Sequence, residues 1–312
     1  MYPANGDARN ATRCATSSGS PKRPIGMLRA MNSRRLSSVG CSRSRICALL
    51  IRPGAIGDCI LSLPALEFLK AGYTEIWAPK DVVPLIRFAD RVAALSSTGL
   101  DLVGIPDVDA APAIARLREF DSIYSWYGAN RGEFRDAVRD LRLPFQFFEA
   151  LPPEQGPTHA ADFFLLQAGG VPPAIPRISI PDAERSDFTV IHPFSGSARK
   201  NWPLDRFRAL ALRLPYPVRW CAGPQDPKIP GAVSMEDLYQ LGCWLGTARC
   251  FIGNDSGIGH LAAAVGTPVV TIFGPMNPAV WTPRASRGAI VAGDLARIEV
   301  EAVLEAVRQV LS

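Results

Sequence analysis

The pattern of apolar and polar residues begins abruptly at Ile46 and predicts strands and helices in alternation. Short apolar runs typical of buried strands lie at residues 46–52, 75–78, 91–95, 120–126, 188–192, 218–221, 250–253 and 268–273. Helical spacing follows at residues 58–70, 82–88, 160–167, 204–214, 257–265 and 300–311. Buried strands that alternate with helices indicate parallel βαβ units, so the pattern predicts an α/β fold.

A stretch with four prolines and little periodicity, residues 171–187, divides this pattern into two similar parts. Such a composition is typical of a linker between domains. We therefore expect one Rossmann-like domain at residues 46–170 and a second at residues 188–312, each with a parallel sheet, facing across a cleft. Because open parallel sheets bind ligands at the carboxyl ends of their strands, the loops there are expected to carry the chemistry.

The net charge of +5 and the isoelectric point near 8.9 belong to the N-terminal segment. Residues 1–45 hold nine Lys or Arg residues and one acid, whereas the rest of the chain holds 25 basic and 28 acidic residues. A body with a net charge of −3 argues against a nucleic-acid partner. If the basic segment is translated, it favours peripheral contact with an anionic membrane face.

Residues 1–45 are rich in Ser, Arg, Gly and Pro and are expected to be a disordered basic tail. Their composition also resembles a transit peptide. The third interpretation, which we favour because ordered patterning starts so abruptly, is that translation starts at Met27 or Met31.

The remaining composition predicts a soluble, cytoplasmic protein without a metal or cofactor. Seven cysteines without a CxxC pair argue against a disulfide framework or a zinc ribbon, and three histidines offer little for a metal site. No run of about 18 apolar residues is present. Asp107-Val-Asp109 matches the DxD pattern of metal-dependent sugar transferases, but its Pro/Ala-rich surroundings favour a solvated loop.

Three strand-to-helix loops carry candidate chemistry. In the first, residues 52–58 (RPGAIGD), Asp58 lies at a predicted helix start, where it can cap the helix or face the cleft as a carboxylate base. Spacing alone slightly favours the cap. The loop matches neither GxGxxG nor GxxxxGK[ST], so neither a dinucleotide fingerprint nor a Walker A site is supported.

The second loop, residues 192–203, combines the hydroxyl of Ser195 with the positive charge of Lys200, a combination that suits a phosphate group. A solvated basic turn is an almost equally good interpretation, and Trp202 is expected to be a core anchor. The third loop holds an acid, a hydroxyl, a glycine and a histidine at one helix start: Asp255, Ser256, Gly257 and His260. That set suits a pyrophosphate with an attached polyol, whereas His260 alone would be a packed helix histidine.

Three segments give the chain its resemblance to a known family: LLIRPGAIGDCILSLPAL, IHPFSGSARKNWPLDRF and FIGNDSGIGHLAAAVGTPVVTIFGPMNPAVW. In this order they resemble glycosyltransferase family 9, the lipopolysaccharide heptosyltransferases, over residues 46–312. The resemblance implies a GT-B architecture with the donor in the second domain and the acceptor against the first. It further implies an inverting, metal-independent transfer of a sugar, typically heptose from ADP-heptose, to a lipid-linked saccharide.

The resemblance also implies roles for individual residues. Asp58 matches the general base of the family, Lys200 and Ser195 match groups near the donor phosphates, and the final helix is implied to pack back toward the first domain. The donor motif is matched by Asp255, Ser256, Gly257 and His260.

Two departures leave alternatives open. Met276 replaces a hydroxyl residue that is frequent in the family, and residues 223–241 are short and proline-rich, as if part of a βα unit were missing. The alternatives are a related transferase with another nucleotide sugar and a non-catalytic paralogue that binds nucleotide sugars. On the acceptor side, only Trp126, Tyr127 and Arg131 are candidates.

Overall fold

The computed structural model describes residues 45–312. The expected disorder of the basic segment concerns residues outside this range, apart from Arg45. Ten strands lie within the described residues: β1 (Cys47–Ile51), β2 (Tyr73–Ala78), β3 (Arg91–Ala94), β4 (Ser122–Ser125), β5 (Phe145–Phe147), β6 (Thr189–His192), β7 (Val218–Trp220), β8 (Cys250–Asn254), β9 (Val269–Phe273) and β10 (Gly288–Ala292).

The strands form two five-stranded sheets in which every pairing is parallel. The first sheet has the order β3-β2-β1-β4-β5, and the second has the order β10-β9-β8-β6-β7. The predicted α/β fold with two parallel sheets is therefore confirmed. The strand order reverses between β1 and β4 in the first sheet and between β6 and β8 in the second, and ligands of such sheets bind at these switch points.

Nine α-helices connect or flank the strands of the described part: α1 (Ile56–Phe68), α2 (Ala111–Leu117), α3 (Gly132–Asp140), α4 (Ala160–Gln167), α5 (Leu204–Ala211), α6 (Leu238–Gly246), α7 (Gly257–Ala264), α8 (Pro278–Trp281) and α9 (Val300–Leu311). The helix expected at residues 82–88 is instead a 3₁₀ helix, Lys80–Leu85, with Pro84 inside it. Between residues 45 and 312, no helix combines the length and the apolar character needed to cross a bilayer.

Central strands of both sheets are buried on both faces, as expected for parallel sheets covered by helices. In β1 every residue is buried, and the same holds for β8 and β9. One apolar cluster joins the two halves, because α1 of the first half packs on α7 of the second, and the 3₁₀ helix Lys80–Leu85 packs on α6. This shared core places the starts of α1 and α7 side by side.

The final helix differs from the expectation. Val303, Leu304 and Val307 of α9 are buried in a core formed by residues of the second half, where α9 packs on β10, β9, β8 and α5. The interpretation that this helix packs back toward the first half is therefore wrong. The apolar stripe of α9 covers a face of the second sheet that would otherwise be exposed to solvent, and this burial accounts for the position of the helix.

Candidate functional site

Two helix starts meet at the carboxyl ends of the two sheets. The start of α1 follows β1, and the start of α7 follows β8. A Cβ atom added at Gly257 would lie 2.9 Å from Ile56 Cβ, and one added at Gly57 would lie 3.0 Å from His260 Cδ2. Only glycine at both positions permits this approach, which brings the unpaired first-turn N–H groups of two helices to one place.

A cavity of about 300 Å³ opens beside these helix starts. Six of the seven predicted site residues line it, together with five residues that the sequence did not point to as a group. The lining consists of Ala55, Gly57, Asp58, Leu151, Lys200, Asp255, Ser256, Gly257, His260, Met276 and Trp281. Met276, noted in the sequence for its missing hydroxyl, therefore contributes a thioether to this wall.

Asp58 combines the two interpretations that the sequence left open. One of its carboxylate oxygens, Oδ2, accepts a hydrogen bond from the Ala55 N–H at 3.2 Å, which caps the start of α1. The same side chain lines the cavity. Because a carboxylate has two oxygens with several lone pairs, capping leaves capacity for a second partner.

Lys200 and Asp255 form an ion pair within the cavity wall, with 3.0 Å between Nζ and Oδ2. Burial raises the pKa of Asp255, the charge of Lys200 lowers it, and the nearby negative charge of Asp58 raises it further. Two carboxylates from different halves thus act on each other electrostatically here. Ser256, and not Asp255, caps α7, because its hydroxyl accepts from the Gly259 N–H.

Asn254 ties together the two loops that carry Lys200 and Asp255. Its side chain is fully buried; Oδ1 accepts from the Trp202 N–H at 2.9 Å, and Nδ2 donates to the Pro193 carbonyl at 2.8 Å. Trp202 is buried as expected for a core anchor, and its indole donates to the Ile298 carbonyl. Both loops are therefore fixed relative to the second sheet.

Arg52 lies beneath Asp58 and is almost completely buried. Its guanidinium donates to the carbonyls of Asp58 and Ala150 and to the Ser62 hydroxyl, at 3.0–3.2 Å, and lies 4.4 Å from the centre of the Phe164 ring. Burial lowers the pKa of Arg52, and the charge of Asp58 opposes that effect. The side chain holds the Asp58 backbone and the loop that delivers Leu151 to the cavity.

His260 is neutral at physiological pH. Burial lowers its pKa to about 3, and the electrostatic effects of His159 and Lys200 act in the same direction. A neutral imidazole can donate one hydrogen bond and accept another, but it adds no positive charge for an anion. Lys200 and the helix starts are therefore the positive groups of this cavity.

Ser195 is the predicted site residue that does not line the cavity. Its hydroxyl lies 2.7 Å from Asn201 Oδ1 and 2.9 Å from the Ser197 carbonyl, within its own loop. Its role toward a ligand stays a prediction.

A second cavity, of about 410 Å³, is lined by Ile56 and Ile258, the sequence neighbours of Gly57 and Gly257 in the wall of the first. It lies beyond β6 and β7, where His192 Nε2 is 3.4 Å from Asp226 Oδ2 and the hydrogen bond from His192 lowers the pKa of Asp226. The Gly223 N–H also donates to Asp226. The proline-rich stretch in this wall contains no helix between β7 and α6, and its Val233 forms a single parallel bridge with Cys221, as expected if part of a βα unit is missing.

The DxD pattern lies away from these cavities. Asp109 accepts from the Ala111 N–H at 2.9 Å at the start of α2, and Asp107 adopts a left-handed turn conformation with φ of 60°. This segment is an exposed loop that precedes α2, as predicted. In residues 45–312, no cluster of three or more His, Cys, Asp or Glu side chains has the arrangement of a metal site.

Comparison with known protein families gives a match in the second half of the chain. Residues 178–302 match the model of glycosyltransferase family 9 (heptosyltransferase). Lipopolysaccharide heptosyltransferase 3 of Escherichia coli K12 is 30% identical over 117 residues, or 32% of this chain and 34% of that protein. Lipopolysaccharide heptosyltransferase 1 of Pseudomonas aeruginosa is 31% identical over 96 residues, or 25% of this chain and 26% of that protein. The matched region thus spans about a third or less of these relatives.

Similar solved structures cover more of the chain. A family 9 glycosyltransferase from Veillonella parvula has a TM-score of 0.64 at 18% identity, covering 85% of this chain and 97% of that one. Escherichia coli ADP-heptose lipopolysaccharide heptosyltransferase II gives 0.64 at 18%, covering 85% and 98%. An Escherichia coli heptosyltransferase solved with ADP gives 0.60 at 14%, covering 84% and 99%. These matches confirm the GT-B fold, whereas the family model and the curated relatives confirm the predicted resemblance to family 9.

Proposed function

We propose that this chain, with its family 9 region at residues 178–302, is an inverting glycosyltransferase that uses a nucleotide-sugar donor. ADP-heptose is the proposed donor, and a lipid-linked saccharide of the lipopolysaccharide core or a related glycan is the proposed acceptor. The observation that carries the proposal is that Asp58 of the first half and the Lys200–Asp255 pair of the second line one cavity at two helix starts.

Asp58 is proposed as the general base. In a single displacement, the acceptor hydroxyl attacks the anomeric carbon while its proton passes to the Asp58 carboxylate, and the bond to the nucleoside diphosphate breaks on the opposite face. Arg52 supports this role because it holds the Asp58 carbonyl and places a positive charge beneath the carboxylate.

Lys200 and the starts of α1 and α7 are proposed to stabilise the departing diphosphate. The leaving group gains negative charge, which an ammonium group and the positive ends of helix dipoles stabilise. Asp255 would exchange part of its pairing with Lys200 for hydroxyl groups of the sugar. These groups supply the charge stabilisation for which other transferases use a metal ion, so we propose a metal-independent reaction.

The 410 Å³ cavity is the proposed place of the nucleoside. Asp226, held in its charged form by His192, can accept hydrogen bonds from ribose hydroxyls. The ADP and ADP-heptose named for the Escherichia coli proteins of similar fold support an adenine nucleotide.

A lipid-linked acceptor would place the enzyme on the cytoplasmic side, at the periphery of the inner membrane.

Replacement of Asp58 by Asn tests the proposed base. Asn keeps an oxygen for the cap on Ala55 but cannot take up the acceptor proton, so we expect kcat to fall by roughly 10²–10⁴-fold. The thermal shift given by ADP-heptose should stay unchanged. Asp109→Asn is the matched control, since Asp109 also accepts a backbone N–H at a helix start but lies outside the cavity. Unchanged turnover in Asp58→Asn would refute the assignment.

A panel of ADP-, UDP- and GDP-sugars tests the donor. A ligand that binds only the folded chain raises its melting temperature, and we expect this for ADP-heptose. A shift with a UDP-sugar and none with ADP-heptose would reject the heptose assignment and leave a transferase with another donor. No shift with any donor would reject the transferase proposal.

A further inference from the structure

A third cavity, of about 660 Å³, lies at the end of α7, whereas the candidate functional site lies at its start. Three segments form its walls: residues 173–179 between the two halves, residues 263–266 at the end of α7, and residues 284–286 after α8. Among the described residues, it shares none with the walls of the 300 Å³ and 410 Å³ cavities. Because an eight-residue helix is about 12 Å long, the third cavity is a separate place on the molecule.

The wall of this cavity is mainly apolar. Ile175 is half exposed, Ile178 is buried, and two prolines lie in the same segment. The Ile178 N–H donates to the Ala264 carbonyl at 2.9 Å, which holds this segment against the end of α7. A Cβ atom added at Gly266 would meet no atom within 4 Å, so the cavity is open there. A preformed apolar cavity of this size is typical of sites for small molecules.

Several polar groups at this wall have unused hydrogen-bonding capacity. The side chains of Arg177, Ser179 and Ser286 form no hydrogen bond or ion pair with another residue of the described range 45–312. Arg284 uses three of its five N–H groups, two on the Asp162 carboxylate and one on a backbone carbonyl. Its other two N–H groups are left for a further acceptor. A ligand with acceptor oxygens can therefore bind without breaking an existing contact.

The charges around the cavity favour an anion. Arg177 and Arg284 are the charged residues of the described lining. Asp162 pairs with Arg284, and Arg185 donates to the Gly266 carbonyl at 2.8 Å. The lining and the charged side chains bonded to it thus comprise three guanidinium groups and one carboxylate. Because guanidinium groups bind carboxylates and phosphates through charge-assisted hydrogen bonds, the matching ligand is an oxyanion attached to an apolar group.

We propose that the third cavity binds a small amphipathic anion. Arg177 and the unused N–H groups of Arg284 hold its carboxylate or phosphate group, and its apolar chain or ring lies along Ile175 and the end of α7. This site goes beyond the proposed sugar transfer, because a ligand there reaches none of the residues proposed for catalysis. A soluble amphipathic anion and the anionic headgroup of a membrane lipid share this chemistry, and vesicle binding distinguishes them.

Titrations of the full chain with hexyl phosphate test the proposal. Calorimetry and saturation-transfer NMR measure binding, with ADP present to occupy the groups around Lys200. We expect hexyl phosphate to bind more tightly than inorganic phosphate, which lacks the apolar chain, and more tightly than 1-hexanol, which lacks the charge. Hexyltrimethylammonium, which has the opposite charge, should bind more weakly than hexyl phosphate. Failure of any of these orders of affinity would overturn the proposal.

Two cavity variants locate the binding of hexyl phosphate. We expect it to bind roughly fivefold to twentyfold more weakly to Arg177→Gln, which removes a positive charge, and roughly threefold to tenfold more weakly to Ile175→Ala, which removes apolar contact. Arg219→Gln is the matched control, because Arg219 on β7 is also exposed and its side chain has no partner in the described part of the chain. Unchanged affinity in either cavity variant, or an equal loss in Arg219→Gln, would overturn the proposal.

Vesicle binding identifies the source of the anion. Phosphatidylcholine vesicles that contain phosphatidic acid are sedimented with the unaltered chain, Arg177→Gln and Arg219→Gln. A several-fold loss of sedimentation in Arg177→Gln alone supports a lipid headgroup in the cavity. Equal sedimentation of all three proteins, with hexyl phosphate still dependent on Arg177, supports a soluble anion. The basic N-terminal segment is the same in all three, so its attraction to the vesicles does not affect the comparison.

Discussion

A single buried histidine couples the candidate site to the stability of the protein. His260 lies in α7 between the two helix starts, and burial keeps its imidazole neutral in the folded chain. Its pKa of about 3 lies well below the value near 6.5 of an exposed histidine. Between these two values the unfolded chain binds a proton that the folded chain does not.

This difference predicts a loss of stability on acidification. The free energy of unfolding should fall as the pH drops below about 6.5, by up to about 1.4 kcal/mol per pH unit for this group. Between pH 7 and pH 5 we expect the unaltered chain to lose about 2 kcal/mol more than His260→Gln, which cannot take up the proton. Denaturant unfolding at both pH values measures the difference. Equal losses in the two proteins would contradict the assignment.

The sequence could indicate the residues at helix starts but not those that hold the loops behind them. The loops that follow predicted strands lead to Asp58, Lys200 and Asp255. Because the carboxyl ends of parallel strands share one edge of a sheet, the sequence could predict that these residues lie at such edges. Arg52 and Asn254 contribute through partners that lie far along the chain: Ala150 is 98 residues from Arg52, and Trp202 is 52 residues from Asn254. Such partners become known only when the fold places them.

At the scale of elements, the contact between α1 and α7 determines the width of the site. Gly57 and Gly257 are not in turns that demand a positive φ; the absence of a side chain is what matters. The close approach of the two helix starts keeps Asp58 near Asp255, as the electrostatic effect of one on the pKa of the other shows.

Gly257→Ala should therefore separate the two helix starts. Its methyl group would meet Ile56 Cβ at 2.9 Å and the Gly57 backbone nitrogen at 3.1 Å, distances that force a backbone shift. We expect a loss of roughly 1–3 kcal/mol in unfolding free energy, together with a smaller thermal shift by ADP-heptose. Gly132→Ala is the control, because open space surrounds Gly132 at the start of α3. Equal unfolding free energies and equal thermal shifts in the two variants would show that this contact does not control the distance between the helix starts.

Elements with strong apolar signals were predictable, and weak ones were not. The bounds of α4 and α9 agree with the pattern at both ends, and β1, β6, β8 and β9 agree within one residue, because their burial requires continuous or striped apolar residues. No apolar pattern indicated α3, which is mainly charged and buries only Phe134 and Val138. Strand β5 has three residues, too few for a period to show.

At the scale of the whole molecule, polar contacts fasten the two halves on the side of α4. Asp162 of α4 pairs with Arg284, which follows α8, and both bond to Ala174 in the connecting segment. His159 also bonds to the Thr282 carbonyl at 2.8 Å. Burial raises the pKa of Asp162, but the hydrogen bonds from Arg284 and from the Ala174 N–H, together with the charge of Arg284, lower it overall.

Removal of this contact should weaken the protein as a whole. In Arg284→Met, Asp162 keeps its negative charge without the guanidinium, and the Ala174 carbonyl loses its donor. We expect the unfolding free energy to fall by roughly 1–3 kcal/mol. Arg208→Met, which breaks an exposed pair with Asp205 on α5, should change it by no more than about 0.5 kcal/mol. Chemical denaturation of the unaltered chain and the two variants measures these losses of unfolding free energy. Equal losses in the two variants would show that the Arg284–Asp162 pair contributes no more than an exposed surface pair.

The paired glycines at the helix starts also make the sequence of each half depend on that of the other. Position 57 cannot carry a side chain because His260 lies opposite it, and position 257 cannot carry one because Ile56 lies opposite it. A substitution at this contact in one half therefore requires a matching substitution in the other. Recombination that joins one half to the corresponding half of a distant relative must preserve this pair of positions. Exchange of one half is therefore expected to give a folded protein only where the incoming half keeps glycine at this contact.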